Sequence, residues 1–308
     1  MPFPEKMFCA PMAGVSDKPF REMIRLYPNA PIFTTEMISV ESLIYKKTQQ
    51  NIRLLNLKDE KNMIVQLVGT SPTCFAKAAQ KAQEAGAIQI DINMGCAVKK
   101  ITQKGAGCAL TRNIAQACKI VQAVKNAVSL PVSVKTRLTP NLPELAKALF
   151  ETGICALAIH ARTPQEGYAT PAHWEQIAPI ADMLPIPIII NGGVINKQTA
   201  QTALIRSHAT NVMIGQAALG TPWIFHQILS GKENTRNIYD LMLLHLGKML
   251  SFYGTRTGLL NARKHLNWYL KHTSTDPDFK KHLLTQQNPT TVQKMILSEK
   301  EKNQFKNT

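Results

Sequence analysis

The amino-acid sequence predicts an α/β protein, a TIM (β/α)8 barrel followed by a C-terminal all-helical domain. Three observations carry that expectation. Eight short β-rich runs recur up to residue 216, segments of helical spacing lie between them, and past Phe225 the β-rich runs stop. Strands that alternate with helices pair in parallel, and eight is the number that closes as a barrel. An open, doubly wound sheet is the competing architecture.

The runs follow in order: MFCAPMAG (7–14), IFTTEM (32–37), MIVQLVG (63–69), AIQIDIN (87–93), PVSVKTRL (131–138), ALAIHA (156–161), IPIIING (186–192) and NVMIGQ (211–216). Several close on the Gly or Asn expected where a strand turns out of a sheet. Between them, PTCFAKAAQKAQEA (72–85) and NIAQACKIVQAVKNA (113–127) repeat apolar residues at helical spacing. From Asn237 onward the spacing is helical throughout, so the expected domains are 1–235 and 236–308. The last residues, SEKEKNQFKNT (298–308), read as a frayed tail.

A chain of 308 residues can bury one large core. No apolar stretch reaches the roughly 18 to 20 residues of a bilayer span. The N-terminus lacks the charged start and apolar block of a signal peptide, and the expected location is the cytoplasm. The six cysteines show no metal-ligand spacing; free thiols and no bound metal are expected. The net charge of +16 attracts polyanions, which makes nucleic acid the leading partner. Residues 236–308 continue the excess, with 12 Lys/Arg against 5 Asp/Glu.

Strand parity then selects a site. In a barrel, alternate side chains point inward, and those at C-terminal strand ends face the active site. Ile88, Ile90 and Ile92 suit the helix-facing side of strand four, which turns Gln89, Asp91 and Asn93 inward. By the same rule Ser133, Lys135 and Arg137 of strand five, and Ala156, Ala158 and His160 of strand six, point in. A mouth lined by Gln66, Asn93, Lys135, Arg137 and His160 is too polar for packing alone, and a buried lysine needs an anionic or strongly polar partner. The loops INGGV (190–194) and IGQAALG (214–220) follow strands seven and eight, the two that commonly bind phosphate in this fold. Cys96, three residues past Asn93, is either a small buried hydrophobe or a proton donor or nucleophile in an electropositive loop that contains Lys99, Lys100 and Lys104.

These residues resemble the tRNA-dihydrouridine synthase family, most closely its bacterial B-type branch. The likeness runs from APMAGVSDKPFR through VQLVG, DINMGC, KKI with GAGCAL, VKTRL, IHART, INGGV and MIGQAALGTPWIF to ARKHLNWYL. It implies an FMN enzyme, reduced by NADPH, that saturates the C5–C6 bond of selected uridines in tRNA. Flavin contacts would fall on Pro11, Met12, Ala13, Gln66, Lys135 and His160, and phosphate contacts on Asn191, Gly192, Gly193, Gly215 and Gln216. Cys96 would give a proton to C5 while flavin N5 delivers hydride to C6, Asn93 would meet the uracil, and Arg137, Lys99 and Lys100 would serve the RNA. In the tail, a helix over 262–271 would place Ala262, Leu266, Tyr269 and Leu270 on an apolar face and Lys264, Trp268 and Lys271 opposite, a pattern suited to RNA or to plain packing of the tryptophan. A monomer acting on tRNA, with no membrane partner, is expected.

Two departures stand out. The family usually reads Gly-Cys-Pro where this chain has Gly95-Cys96-Ala97, and Gly-Arg where it has Gly215-Gln216. A flavin barrel acting on free pyrimidines, like the dihydroorotate and dihydropyrimidine dehydrogenases, is a second reading, opposed by the charge and the basic tail. A non-catalytic tRNA-binding factor is a third; Cys96, Lys135 and His160 oppose it, while Gln216 favours it.

Overall fold

The computed structural model describes residues 4, 7–45, 57 and 59–305. Eight parallel strands close into a barrel: β1 (Phe8–Cys9), β2 (Ile32–Thr34), β3 (Met63–Val68), β4 (Gln89–Met94), β5 (Val132–Arg137), β6 (Ala156–His160), β7 (Ile188–Asn191) and β8 (Asn211–Ile214). Closure comes from β1, which pairs with both β2 and β8, and from the β2–β3 pair. A two-residue strand at Ile38–Ser39 pairs beside the end of β3. The first run is strand only at Phe8–Cys9, because Pro11 has no N–H to give a ladder and the chain turns there.

The parity expectation holds in the register. Asn93, Lys135 and Ala158 align across β4, β5 and β6, and Arg137, His160 and Asn191 align across β5, β6 and β7. Ile90, Ile92, Val134, Leu157 and Ile159 are completely buried. On the opposite parity, Ala10, Ala156, Ala158, Ile189 and Met213 form a small apolar cluster of their own. Ile88, also expected to face the helices, lies just before β4 and is exposed, at 42%.

The crossover helices are built by their caps. The helix Pro72–Glu84 starts where the Ser71 side chain accepts from Cys74 N–H, and it buries Phe75, Ala78, Ala79 and Ala82. Asn113 caps Ile114–Ala127 through Gln116 N–H, leaving Ile120, Val121 and Val124 buried. Each such large apolar side chain contributes about 1.5–3 kcal/mol of burial.

The chain divides into two compact units, residues 1–16 with 31–215, and residues 17–30 with 216–308. The segment after β1 therefore groups with the helices, as does the stretch from 216 to the expected boundary at 235/236. Within the second unit, Asp17 caps the helix Lys18–Ile24 through Phe20 N–H and accepts Tyr253 Oη at 2.9 Å, and Lys248 pairs with Glu22 at 2.7 Å. Its core gathers Met23, Trp223, Tyr239, Met242, Leu246, Leu259, Leu266 and Tyr269. The expected frayed tail is corrected: Pro289–Phe305 is one helix, because Val292, Ile296 and Glu299, at spacings of four and three, are buried along one stripe. Residues 306–308 lie outside the described residues.

Candidate active site

The strands deliver their inward side chains into one hydrogen-bonded chain. Gln89 Nε2 donates to Ser133 Oγ at 2.7 Å, Ser133 Oγ donates to Asp91 Oδ1 at 2.6 Å, and Gln66 Nε2 donates to Asp91 Oδ2 at 2.7 Å. Asn93 Nδ2 then donates to Gln66 Oε1 at 2.8 Å. Asp91 lies at the base of this chain, its pKa raised by burial against the pull of Ser133, Gln66 and Lys135. The network fixes which way each amide faces.

Asn93 passes that orientation to the thiol. Its Oδ1 accepts the N–H groups of Gly95 at 3.2 Å and Cys96 at 3.0 Å, so the turn that carries Cys96 is tied to the strand end. Arg137 Nε donates to Gly95 O at 2.7 Å. From the far side, Cys108 N–H donates to Cys96 O at 2.9 Å. Gly107 sits at φ +61, and a Cβ there would come 2.5 Å from Cys96 O and 3.2 Å from Cys96 Cβ, a close approach that only glycine allows. Cys96 is left half-buried. Lys99 and Lys100 stand exposed on the short helix Lys99–Thr102 that follows.

Beside the thiol loop the mouth is electropositive. Lys135 Nζ donates to Asn191 Oδ1 at 3.0 Å, and Asn191 Nδ2 donates to Met213 O at 2.9 Å. Burial first, then Arg137, lowers the Lys135 pKa to about 8, with Asp91 opposing. His160 is held neutral, its pKa pushed down to about 2 by burial and by Lys135, Arg137 and Arg162. Arg162 lies 3.1 Å from His160 Nε2, is itself buried, and donates through Nε to Thr170 O at 2.6 Å. The exposed ring of Tyr168 lies over His160, centroids 6.1 Å apart. Three cations thus surround a neutral imidazole, which makes this part of the mouth positive.

The loops after β7 and β8 are shaped by glycine. Gly192 (φ +104) passes so close to His160 that a Cβ would lie 2.6 Å from the ring, and Gly193 (φ +75) lies against Ala172 and Trp174. Trp174 Nε1 braces this turn by donating to Gly192 O at 2.9 Å. A Cβ on Gly215 would meet Ala10 and the Met12 side chain, which brings the β8 loop against the turn at Pro11, Met12 and Ala13. Met12 itself is held by Ser16: its N–H donates to Ser16 Oγ at 2.9 Å. Gln216 is exposed and begins the short 3-10 turn Gln216–Ala218.

In the helical unit, Thr255–Tyr269 is a helix and Leu270–His272 a 3-10 turn, so Lys271 lies just past the helix on which it was expected. Ala262, Leu266, Tyr269 and Leu270 are buried, as their spacing predicts. Lys264 and Trp268 are half-buried and Lys271 is exposed. The Trp268 ring stands edge-on to His265 at 5.1 Å.

The sequence reading did not assign Gly107, Arg162, Tyr168 or Trp174. Arg162 had a signal, since it continues the parity of His160 in IHART; the others are brought in by loop geometry. Among the described residues no group of three or more His, Cys, Asp or Glu could hold a metal ion, and no helix is long and apolar enough to cross a membrane.

A family model described as dihydrouridine synthase matches residues 8–306. The chain is 36% identical over 280 residues to tRNA-dihydrouridine synthase B of Pseudomonas aeruginosa, covering 87% of this chain and 84% of that protein. It is 37% identical over 278 residues to the protein of the same name in Vibrio cholerae, covering 86% of each. A probable tRNA-dihydrouridine synthase of Rickettsia bellii is 33% identical over 302 residues, or 94% of this chain and 92% of that one. Among solved structures, the old yellow enzyme homologue of Zymomonas mobilis superposes with a TM-score of 0.54 at 13% identity, over 77% of this chain and 91% of that one, a likeness of fold.

Proposed function

Because the chain belongs to the dihydrouridine synthase family, we propose that it reduces the C5–C6 bond of uridines in tRNA, using FMN with NADPH as reductant. The observation that carries this reading is Cys96, its backbone held by Asn93 and packed against Gly107, beside strand ends that carry Lys135, Arg137, His160 and Arg162. The residues fit a flavin: the glycines at 192 and 215 let the β7 and β8 loops close onto His160, Arg162, Ala10 and Met12, which gathers those loops at the mouth, and Lys135, Arg137 and Arg162 give that mouth a positive charge suited to an anionic cofactor. Gln66, Lys135, His160 and the turn Pro11–Ala13 would hold the ring system, and Asn191, Gly192, Gly193, Gly215 and Gln216 the phosphate. Bound flavin would supply the hydride.

The chain's own part is protonation and placement. Cys96 would give a proton to uracil C5, a general-acid contribution of about 10²–10⁴-fold. Asn93 uses one N–H on Gln66; the other, now against the Met37 sulfur at 3.9 Å, is the one that would meet the base. Lys135 would supply positive charge to a bound flavin, and its pKa of about 8 leaves it mostly charged at neutral pH. The uridine must leave its stack, at a cost of a few kcal/mol. Lys99 and Lys100, and in the helical unit Lys264, Trp268 and Lys271, would repay that cost by contacts to RNA phosphate and base. The working form is taken as a cytoplasmic monomer.

The test is anaerobic. Protein carrying flavin is reduced with NADPH, then mixed with tRNA lacking dihydrouridine. Reoxidation by tRNA, but not by uridine or uracil, is the expected result. Reoxidation by free pyrimidine would replace the reading with a small-molecule reductase, and purified protein unable to bind flavin would leave a tRNA-binding factor.

A further inference from the structure

We propose that Cys96 and Cys108 form a reversible disulfide, a redox-modification site that removes the thiol from service and shelters it. The disulfide stands independently of the proposed function; only its consequence for turnover rests on that reading.

The backbone places the two residues at disulfide range. Cys108 N–H donates to Cys96 O at 2.9 Å. With standard bond lengths and the roughly 120° angle at the carbonyl carbon on either side of that hydrogen bond, the two Cα atoms can be no more than about 6.8 Å apart, which reaches the upper limit of about 6.8 Å for a disulfide and stays below the roughly 7 Å at which bridging fails. Gly107 supplies the close approach, since a side chain there would come 3.2 Å from Cys96 Cβ. The two thiols also act on each other: behind burial, Cys96 is the next cause of the raised Cys108 pKa. Both are free and half-buried.

The roles follow from position. Cys96 is half-buried on the turn after β4, within reach of a small oxidant, while Cys108 sits on the 3-10 turn Gly107–Arg112, which Thr111 Oγ1 tightens by donating to Cys108 O at 2.7 Å. With hydrogen peroxide as oxidant, the Cys96 sulfur attacks the O–O bond and becomes a sulfenic acid as hydroxide leaves. The Cys108 sulfur then attacks that sulfur, the S–O bond breaks, the S–S bond forms and water departs. Two thiols lose two electrons and two protons, and one peroxide becomes two waters. Without Cys108 the sulfenic acid meets further peroxide and becomes sulfinic acid, which thiol reductants do not reverse.

The experiment treats the full chain with graded hydrogen peroxide, blocks remaining thiols at acid pH, and digests with trypsin. Peptide 82–99 joined to peptide 105–112, separating on reduction, is expected. Activity on tRNA should fall with the cross-link and return with dithiothreitol. Cys108→Ser keeps basal turnover but, once oxidised, does not recover. Oxidation of Cys96 to sulfinic acid without the cross-link, or its pairing with another cysteine, would overturn the proposal. A cross-link that forms in a chain inert toward tRNA would support the thiol pair and count against the functional reading alone.

Discussion

The barrel interior and the helical core both bury polar side chains, and they treat them oppositely. In the barrel, Gln66, Asp91, Asn93 and Ser133 are each hydrogen-bonded to another member of the set, and the last link reaches the Cys96 turn. In the helical unit, His245 and His265 lie with ring centroids 4.3 Å apart, and the Nε2 of each is buried without a partner. Nδ1 of His245 meets Tyr269 Oη at 3.2 Å. Burial, with Lys248 and Lys264, pushes the His245 pKa down to about 3, and burial chiefly holds His265 well below the usual range. A linked polar network transmits position; an isolated buried pair fills space as neutral rings and makes its unit sensitive to acid. Changes in the first region should alter chemistry, and changes in the second should alter stability.

The largest expected effect tests the end of the network. Cys96→Ala should retain flavin and tRNA affinity while single-turnover formation of dihydrouridine slows by about 10²–10⁴-fold; an unchanged rate would remove the proton-donor role. Next comes Gly107→Ala. It forces an L residue into left-handed backbone, costing about 1–2 kcal/mol, and pushes a methyl onto Cys96 O. Turnover should fall with little change in flavin binding, and an equal loss of flavin would show that the thiol loop and the cofactor cradle are one structure.

The helical core gives the third prediction. A histidine whose folded pKa is depressed adds stability that is fully present above its unfolded value near 6.5 and is lost as pH falls toward the folded value, here between about 6.5 and 3 for His245. Replacing His245 by Phe should flatten the decline of thermal stability across that window and leave uridine reduction at pH 7.5 unchanged. A parallel acid limb in both proteins would assign the sensitivity elsewhere. The smallest effect belongs to the surface: Lys264→Ala with Lys271→Ala should lower the slope of log tRNA affinity against log salt by about 1–2 if both contact phosphate, and an unaltered slope would take this helix off the RNA surface.

The barrel was legible because strand side chains alternate with a period of two. Once Ile90 and Ile92 were assigned outward, Asp91 and Asn93 had to point in, and the register agrees. The helical face of 262–271 was legible for the matching reason at a period of 3.6. What sequence spacing could not convey was contact at a distance. Gly107 and Cys108 return to Cys96 after a ten-residue excursion, and nothing local in GAGCAL says where it docks. Nor could it show that the helix Lys18–Ile24, placed where a first barrel helix belongs, groups with the second unit through Asp17, Glu22 and Met23. His245 and His265 drew no assignment from the sequence, yet both are buried at 2%. Ring contacts with each other and with Tyr269, Phe20 and Trp268 outweigh their polarity, because a neutral imidazole packs as an aromatic ring.

The double anchoring of the Cys96 main chain, by Asn93 on the strand side and by the main-chain N–H of residue 108 on the other, means that the residue's location is measured from two fixed points. In the intervening chain Ile101 packs at Gly107 and accepts Ala106 N–H, while Gln103, Lys104 and Gly105 are exposed. Insertions of a few residues at Gln103–Lys104, past Lys99 and Lys100, should be tolerated, making that point a place to graft a tag or fluorophore that reports on RNA arrival. Removal of one residue between Asn93 and Cys96 would instead move the sulfur off its mark.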